Sequence, residues 1–157
     1  MPLTVFVATT RKKRPLEFRG LRFRFVTVKP SKFFGYRREI IADLPTLIAD
    51  EAKAIVDSLD QPRYAGGVAE VAKALRTALA VTEAPTLIEY ANRMGNRSLG
   101  SRLGYLLQRL GYSAEGLLRS AVPVALEPSR PRRGHLDPRW QVVVNVPEAE
   151  LQLAGVG

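Results

Sequence analysis

The feature that most constrains the fold is a switch of hydrophobic period. From residue 3 to residue 42 the chain is rich in β-branched and aromatic residues that alternate with polar ones, whereas from 49 to about 121 apolar residues recur at the i, i+3, i+4, i+7 spacing of a buried helical stripe. Strand and helix signals in separate blocks argue for an α+β fold rather than a βαβ alternation. A last β run, 139–146, returns after a proline-rich stretch. We therefore predict one mixed sheet, built from the N-terminal strands plus this C-terminal strand, against a layer of about five helices. The expected organisation is a single domain over 1–157: a basic β region at 1–42, a helical region at 49–121, a Pro/Arg-rich surface loop at 122–138 and a strand at 139–146. A chain of 157 residues buries about 70% of its unfolded surface on folding, so it needs no staple.

Leu3 to Thr9 is almost continuously apolar, as in a central strand covered on both faces. After the basic turn Arg11–Arg14, the runs Leu16–Arg19 and Leu21–Val28 flank Gly20 and read as a hairpin. In the second arm Phe23 and Phe25 point one way and Arg22 and Arg24 the other, because side chains alternate across a strand. Phe33-Phe34-Gly35 reads as a packed corner and Tyr36 to Ala42 as a further strand. Asp50 is the expected cap of a first helix ended by Pro62. A second follows Gly66-Gly67, a third holds Pro85 in its first turn and closes at Gly95, Ser98 caps a fourth that Gly111 stops, and Ser113 caps a short fifth. In the final run Trp140, Val142, Val144 and Val146 share a face, and the strand is expected to rejoin the N-terminal sheet so that its backbone is paired.

Charge narrows the function. The chain carries a net +9, and residues 1–38 hold eleven basic residues against one acid, Glu17; that excess of ten leaves −1 for the rest. Such one-sided charge is expected of a surface facing phosphates, and the candidates are Arg11, Lys12, Lys13, Arg14, Arg22, Arg24, Arg37 and Arg38. Contacts of this kind fix position and do not read bases. The absence of cysteine rules out disulfides and thiolate metal sites and suits a cytoplasmic protein; a lone histidine, His135, removes the two-histidine zinc motifs. No signal peptide or membrane span is recognisable, and no cofactor is expected.

Other constellations are weaker. Glu51-Ala-Lys53, with Asp43 as partner carboxylate, matches half of a magnesium-dependent nuclease signature, but the triplet opens a helix, where Lys53 and Asp57 form an i, i+4 pair. Leu99–Leu110, Gly111–Ser113 and Ala114–Ala121 imitate a helix-turn-helix without a polar recognition face and read as core. Gly95–Arg102 imitates a phosphate loop but follows no strand and reads as a helix boundary. His135 reads as a surface residue and Trp140 as a core anchor; an alternative RNA- or protein-binding module would expose Phe33, Phe34, Tyr36 or Trp140.

In sequence order, the segments Val5–Pro15, Phe23–Gly35, Ile48–Asp60, Arg102–Gly111 and Arg139–Val146 resemble the C-terminal domain of AbiEi-family antitoxins. The resemblance spans most of the chain. It implies a non-enzymatic effector domain of a transcriptional regulator, which follows a winged helix-turn-helix and neutralises a nucleotidyltransferase toxin of a type IV toxin–antitoxin pair. The stretch begins at the first strand of that domain, so sequence-specific operator reading by this chain alone is not expected. The resemblance supplies no catalytic residues.

Overall fold

The computed structural model describes residues 3–41 and 43–153 and is α+β, as the two periodicities require. The chain divides into two compact units, residues up to Phe34 and residues from Gly35 onward.

The first unit is a three-stranded sheet of order β1-β3-β2, with β1 at Leu3–Thr9, β2 at Leu16–Phe18 and β3 at Leu21–Thr27. The hairpin at Gly20 is present: β2 runs antiparallel to β3, and Arg19 (φ 50°) and Gly20 (φ 76°) both occupy the left-handed region that a tight two-residue hairpin turn demands. β1 lies parallel to β3 with Leu3 opposite Leu21 and Thr9 opposite Thr27. It is an edge strand, not the central one its apolar run suggested, and none of its residues is fully buried. The centre belongs to β3, because the local hairpin supplies one neighbour and leaves its other edge for β1.

In the second unit, β4 (Tyr36–Ile41) pairs antiparallel with β5 (Leu44–Ala49), a strand that the alternation of residues 44–49 does not announce. Asp43, in the connection, has φ 62°, which aspartate tolerates better than most residues. Four helices follow: α1 Glu51–Asp60, α2 Val68–Ala78, α3 Ala84–Met94 and α4 Arg97–Arg109. Asp50 caps α1 as expected, accepting the Lys53 N–H at 2.8 Å, and it also takes the Tyr90 hydroxyl at 2.7 Å. Pro85 lies in the first turn of α3 and Gly95, in the left-handed region, closes it. The cap of α4 is Asn96, which accepts the Ser98 N–H at 3.0 Å, and not Ser98 itself. The core is Ile55, Val56 and Leu59 of α1, Val71 and Leu75 of α2, Leu87 of α3, and Leu99, Leu103, Leu106 and Leu107 of α4, all 0–4% exposed.

The expected fifth helix from Ser113 does not form. Gly116 stands at φ 83°, and the backbone there is held by side chains instead: Asn92 donates to Gly116 O at 2.8 Å and accepts from Leu118 N at 2.9 Å, and Ser101 accepts from Ser120 N at 2.9 Å. The fifth helix is α5, Glu148–Leu151.

The last strand also departs from expectation. β8 (Val142–Val144) does not join the N-terminal sheet; it pairs parallel with β6 (Val124–Ala125) and antiparallel with β7 (His135–Asp137), both inside the segment expected to be a surface loop. Neighbouring backbone satisfies the strand with a shorter closure than a return to residue 3 would need. Leu126 and Glu127 follow β6 into the interior. The shared face of the final run is apolar and buried as read: Trp140 is 5% exposed and Val142 fully buried. Trp140 donates Nε1–H to Gln108 Oε1 and lies on Gly104 of α4, where a Cβ would fall 2.5 Å from ring atom Cδ2 and closer still to Cε3 and Cζ3.

Candidate nucleic-acid interface

Strand alternation divides the first unit by chemistry. Leu21, Phe23 and Phe25 are half-buried on one face of β3, and Arg22 and Arg24 are exposed on the other. The register adds neighbours to the cationic face: Thr4 lies opposite Arg22, Phe6 opposite Arg24 and Glu17 opposite Arg22 on the other side. Phe6 is 40% exposed, so an aromatic ring stands beside Arg24 on the open face. Sequence alone did not single it out, because its placement depends on the parallel pairing of β1 with β3.

The eight predicted phosphate contacts are not equivalent. Arg22 gives both its Nε (3.0 Å) and its Nη2 (2.9 Å) to Glu17 Oε1, so its charge is partly matched across the hairpin. Arg24 has no carboxylate partner among the described residues. Arg11, Lys12, Lys13 and Arg14 are all exposed in the connection from β1 to β2, which opens with Thr9 Oγ1 bridging the N–H and carbonyl of Arg11. Lys13 sits over the Phe25 ring at 5.6 Å, on the face opposite to Arg22 and Arg24. Arg19, outside the predicted set, stacks on Phe18 at 5.2 Å.

Arg37 and Arg38 belong to the second unit. Arg37 is clamped by acids, with Nε on Glu39 at 2.7 Å and Nη1 on both oxygens of Glu51 at 3.0 and 3.1 Å. Glu39 first, and then Glu51, hold its guanidinium above its ordinary value. The clamp ties β4 to the start of α1, so the charge of Arg37 is matched by two carboxylates while its side chain stays about half exposed. Arg38 is exposed on the other face of β4.

The nuclease constellation is not assembled. Glu51 is held by Arg37, with its own backbone N–H and then that arginine keeping its carboxyl below the usual range. Lys53 turns inward: it is 1% exposed, and its Nζ meets Asp57 Oδ1 at 2.5 Å and Met94 Sδ at 3.4 Å, 5.9 Å above the Tyr36 ring. The expected i, i+4 pair exists, with its lysine buried and its aspartate partly exposed. Burial, and then the Asp57 charge, push the Tyr36 hydroxyl up to about 12. Among the described residues no three His, Asp or Glu side chains gather to ligate a metal ion.

The remaining candidates resolve simply. His135 is exposed on β7 and not in a loop, and Leu99 to Leu110 is core without a second helix behind it. Gly95 to Arg102 is a helix boundary. Of the aromatic residues an RNA- or protein-binding module would present, Trp140 and Phe34 are buried, Tyr36 is half-buried and Phe33 is 39% exposed. Among the described residues no helix is long and apolar enough to cross a membrane. In comparison with known proteins, the chain matches no family model, no curated protein and no solved structure.

Proposed function

We propose that the protein is a non-enzymatic, cytoplasmic regulator domain that lies on DNA phosphates through its basic N-terminal sheet and acts as the antitoxin against a nucleotidyltransferase toxin. The observation that carries the DNA part is the concentration of charge: nine basic residues against Glu17 within the first 34 residues, with Arg22 and Arg24 exposed on one sheet face and Arg11–Arg14 exposed beside it in sequence. A surface of that sign repels itself unless polyanions neutralise it, and the attraction to a phosphate backbone is independent of base sequence. Support for the antitoxin part is the order of the segments that resemble the AbiEi C-terminal domain, which fall on β1, β3, α1, α4 and β8 in turn. Either a direct contact with the toxin or action through the operon is compatible with this role.

The experiment is duplex binding across a salt series. Changing Arg22 and Arg24 together to Glu is expected to weaken binding to duplexes of any sequence. It should also reduce the slope of log K against log salt by about 0.9 for each phosphate that the variant no longer neutralises. Unchanged affinity at low salt refutes the assignment. One observation favours a second reading: Phe6 beside Arg24 offers a stacking surface for an unpaired base, so tighter binding of single-stranded RNA than of duplex DNA would replace the first reading with that of an RNA-binding module.

A further inference from the structure

The arginine face is one side of the first unit's sheet; the other side is apolar, and contact with phosphates leaves it unexplained. Register sets its side chains in rows, because residues paired across adjacent strands share a face. Phe18, Leu21 and Leu3 form one row, and Leu16, Phe23 and Val5 the next. Phe25 and Val7 begin a third. Strand spacing and rise give these rows an area on the order of 250 Å². That approaches the roughly 300 Å² at which an exposed apolar patch is often functional. The rows are open at their margins: Leu3 is 71%, Phe18 58% and Leu16 48% exposed. No residue of the three strands is fully buried.

Charge selects the occupant. The cations that reach this face lie over its rings, Lys13 at 5.6 Å from Phe25 and Arg19 at 5.2 Å from Phe18. Glu17, the only acid in the first unit, is on the opposite face beside Arg22. The complementary partner is therefore apolar within and anionic at its boundary. A second copy of this face would bring the same cations and no acid. Nucleic acid supplies phosphates, but bases stack on open flat rings. Here Leu3, the most exposed of these side chains, is aliphatic, and the rings of Phe18 and Phe25 already carry a cation. The surface of an anionic bilayer supplies both parts. Acyl chains receive leucine and phenylalanine, while lysine and arginine run their stems along the apolar surface and keep their charged heads among the headgroups.

We propose that the apolar face of this sheet docks on the surface of an anionic lipid bilayer, with Leu3, Leu16 and Phe18 entering the boundary between headgroups and acyl chains and Lys13 and Arg19 on lipid phosphates. The domain lies on such a membrane rather than crossing it. The inference is independent of the DNA reading, which uses the other face of the sheet.

The test is cosedimentation of the full chain with vesicles of phosphatidylcholine containing about one-third phosphatidylglycerol, against vesicles of phosphatidylcholine alone. Strong binding to the anionic vesicles and little to the neutral ones is expected. Leu16→Thr with Phe18→Thr keeps the β preference of an exposed strand and should lower vesicle affinity at least tenfold. Leu3→Thr, on the far strand, should lower it several-fold, and circular dichroism checks that each variant is folded. Replacing Lys13 and Arg19 by glutamine should cost about fivefold for each cation removed. The Arg22→Glu, Arg24→Glu variant should lose duplex binding and still sediment with the vesicles, whereas Leu16→Thr with Phe18→Thr should do the reverse, so the two faces succeed or fail separately. Failure of the wild type to sediment with anionic vesicles, or sedimentation of the folded Leu16→Thr, Phe18→Thr variant like wild type, overturns the proposal. So does a wild type that ignores vesicles while using Leu16 and Phe18 to bind a single-stranded oligonucleotide or to dimerise in analytical ultracentrifugation.

Discussion

Replacing Gly104 by alanine tests the packing that joins α4 to the C-terminal sheet. On helix propensity alone the change should help, since alanine is favoured over glycine in a helix interior by about 1 kcal/mol. The structure reverses the sign. The new methyl group would fall 2.5 Å from Trp140 Cδ2 and closer to two further ring atoms, against ordinary carbon contacts of roughly 3.5–4.0 Å. The ring would have to withdraw by more than about 1 Å, and it is fixed: Trp140 is 5% exposed, its Nε1–H is bonded to Gln108, and its backbone N–H is bonded to Asp137 at 2.8 Å. Overpacking a tight site costs about 1–3 kcal/mol, and displacing a buried tryptophan approaches the roughly 3–5 kcal/mol of its truncation. After subtracting the propensity gain, a net loss of about 2–4 kcal/mol is expected. Trp140 is the only tryptophan, so urea unfolding followed by its fluorescence reports on the affected site, with circular dichroism as the global probe. Trp140→Leu should make the Gly104→Ala step nearly neutral, and the two substitutions should couple strongly. A loss below about 1 kcal/mol, or simple additivity with Trp140→Leu, would refute the reasoning.

Two further outcomes follow from charge. Glu17→Gln frees Arg22 from its cross-strand partner, so duplex affinity should rise and the salt slope steepen by up to about 0.9; because exposed pairs contribute only about 0–1 kcal/mol, the hairpin should remain folded. Unchanged or weaker binding in a filter or anisotropy assay would contradict this. The raised Tyr36 pKa fixes an alkaline limit: the unfolded tyrosine loses its proton near 10 and the folded one near 12, so its contribution is complete below pH 10 and is lost as pH rises toward 12. Because Tyr36 is only partly buried the loss is on the order of 1 kcal/mol after allowing for solvent screening, and denaturation curves from about pH 9 to 12 should show it in wild type and not in Tyr36→Phe.

What the sequence by itself determined is whatever depends on neighbours within one turn or one strand. The stripe Ala52, Ile55, Val56 and Leu59, the Asp50 cap, Pro85 and Gly95 at the ends of α3, the Gly20 hairpin and the division of β3 into an arginine face and a phenylalanine face all follow from local period and backbone preference. The charge excess near the N-terminus needs no structure at all. Tertiary structure decided the pairings, because a strand's alternation states which faces it has and not which partner it meets. Thus β8 closed on β6 and β7, β1 took an edge, and Phe6 came to stand beside Arg24. It also decided which charges are available. Nothing in one dimension marks Lys53 and Arg102 as buried cations, yet one lies over a tyrosine ring against Asp57 and the other donates to the backbone carbonyls of Ala125 and Leu59. Arg37, equally basic in sequence, is held by two carboxylates, one of them fourteen residues away. A charge's partners are set by distance in space: Asp57 and Glu39 are near neighbours in sequence, but Glu51 and the carbonyls that hold Arg102 come from other elements.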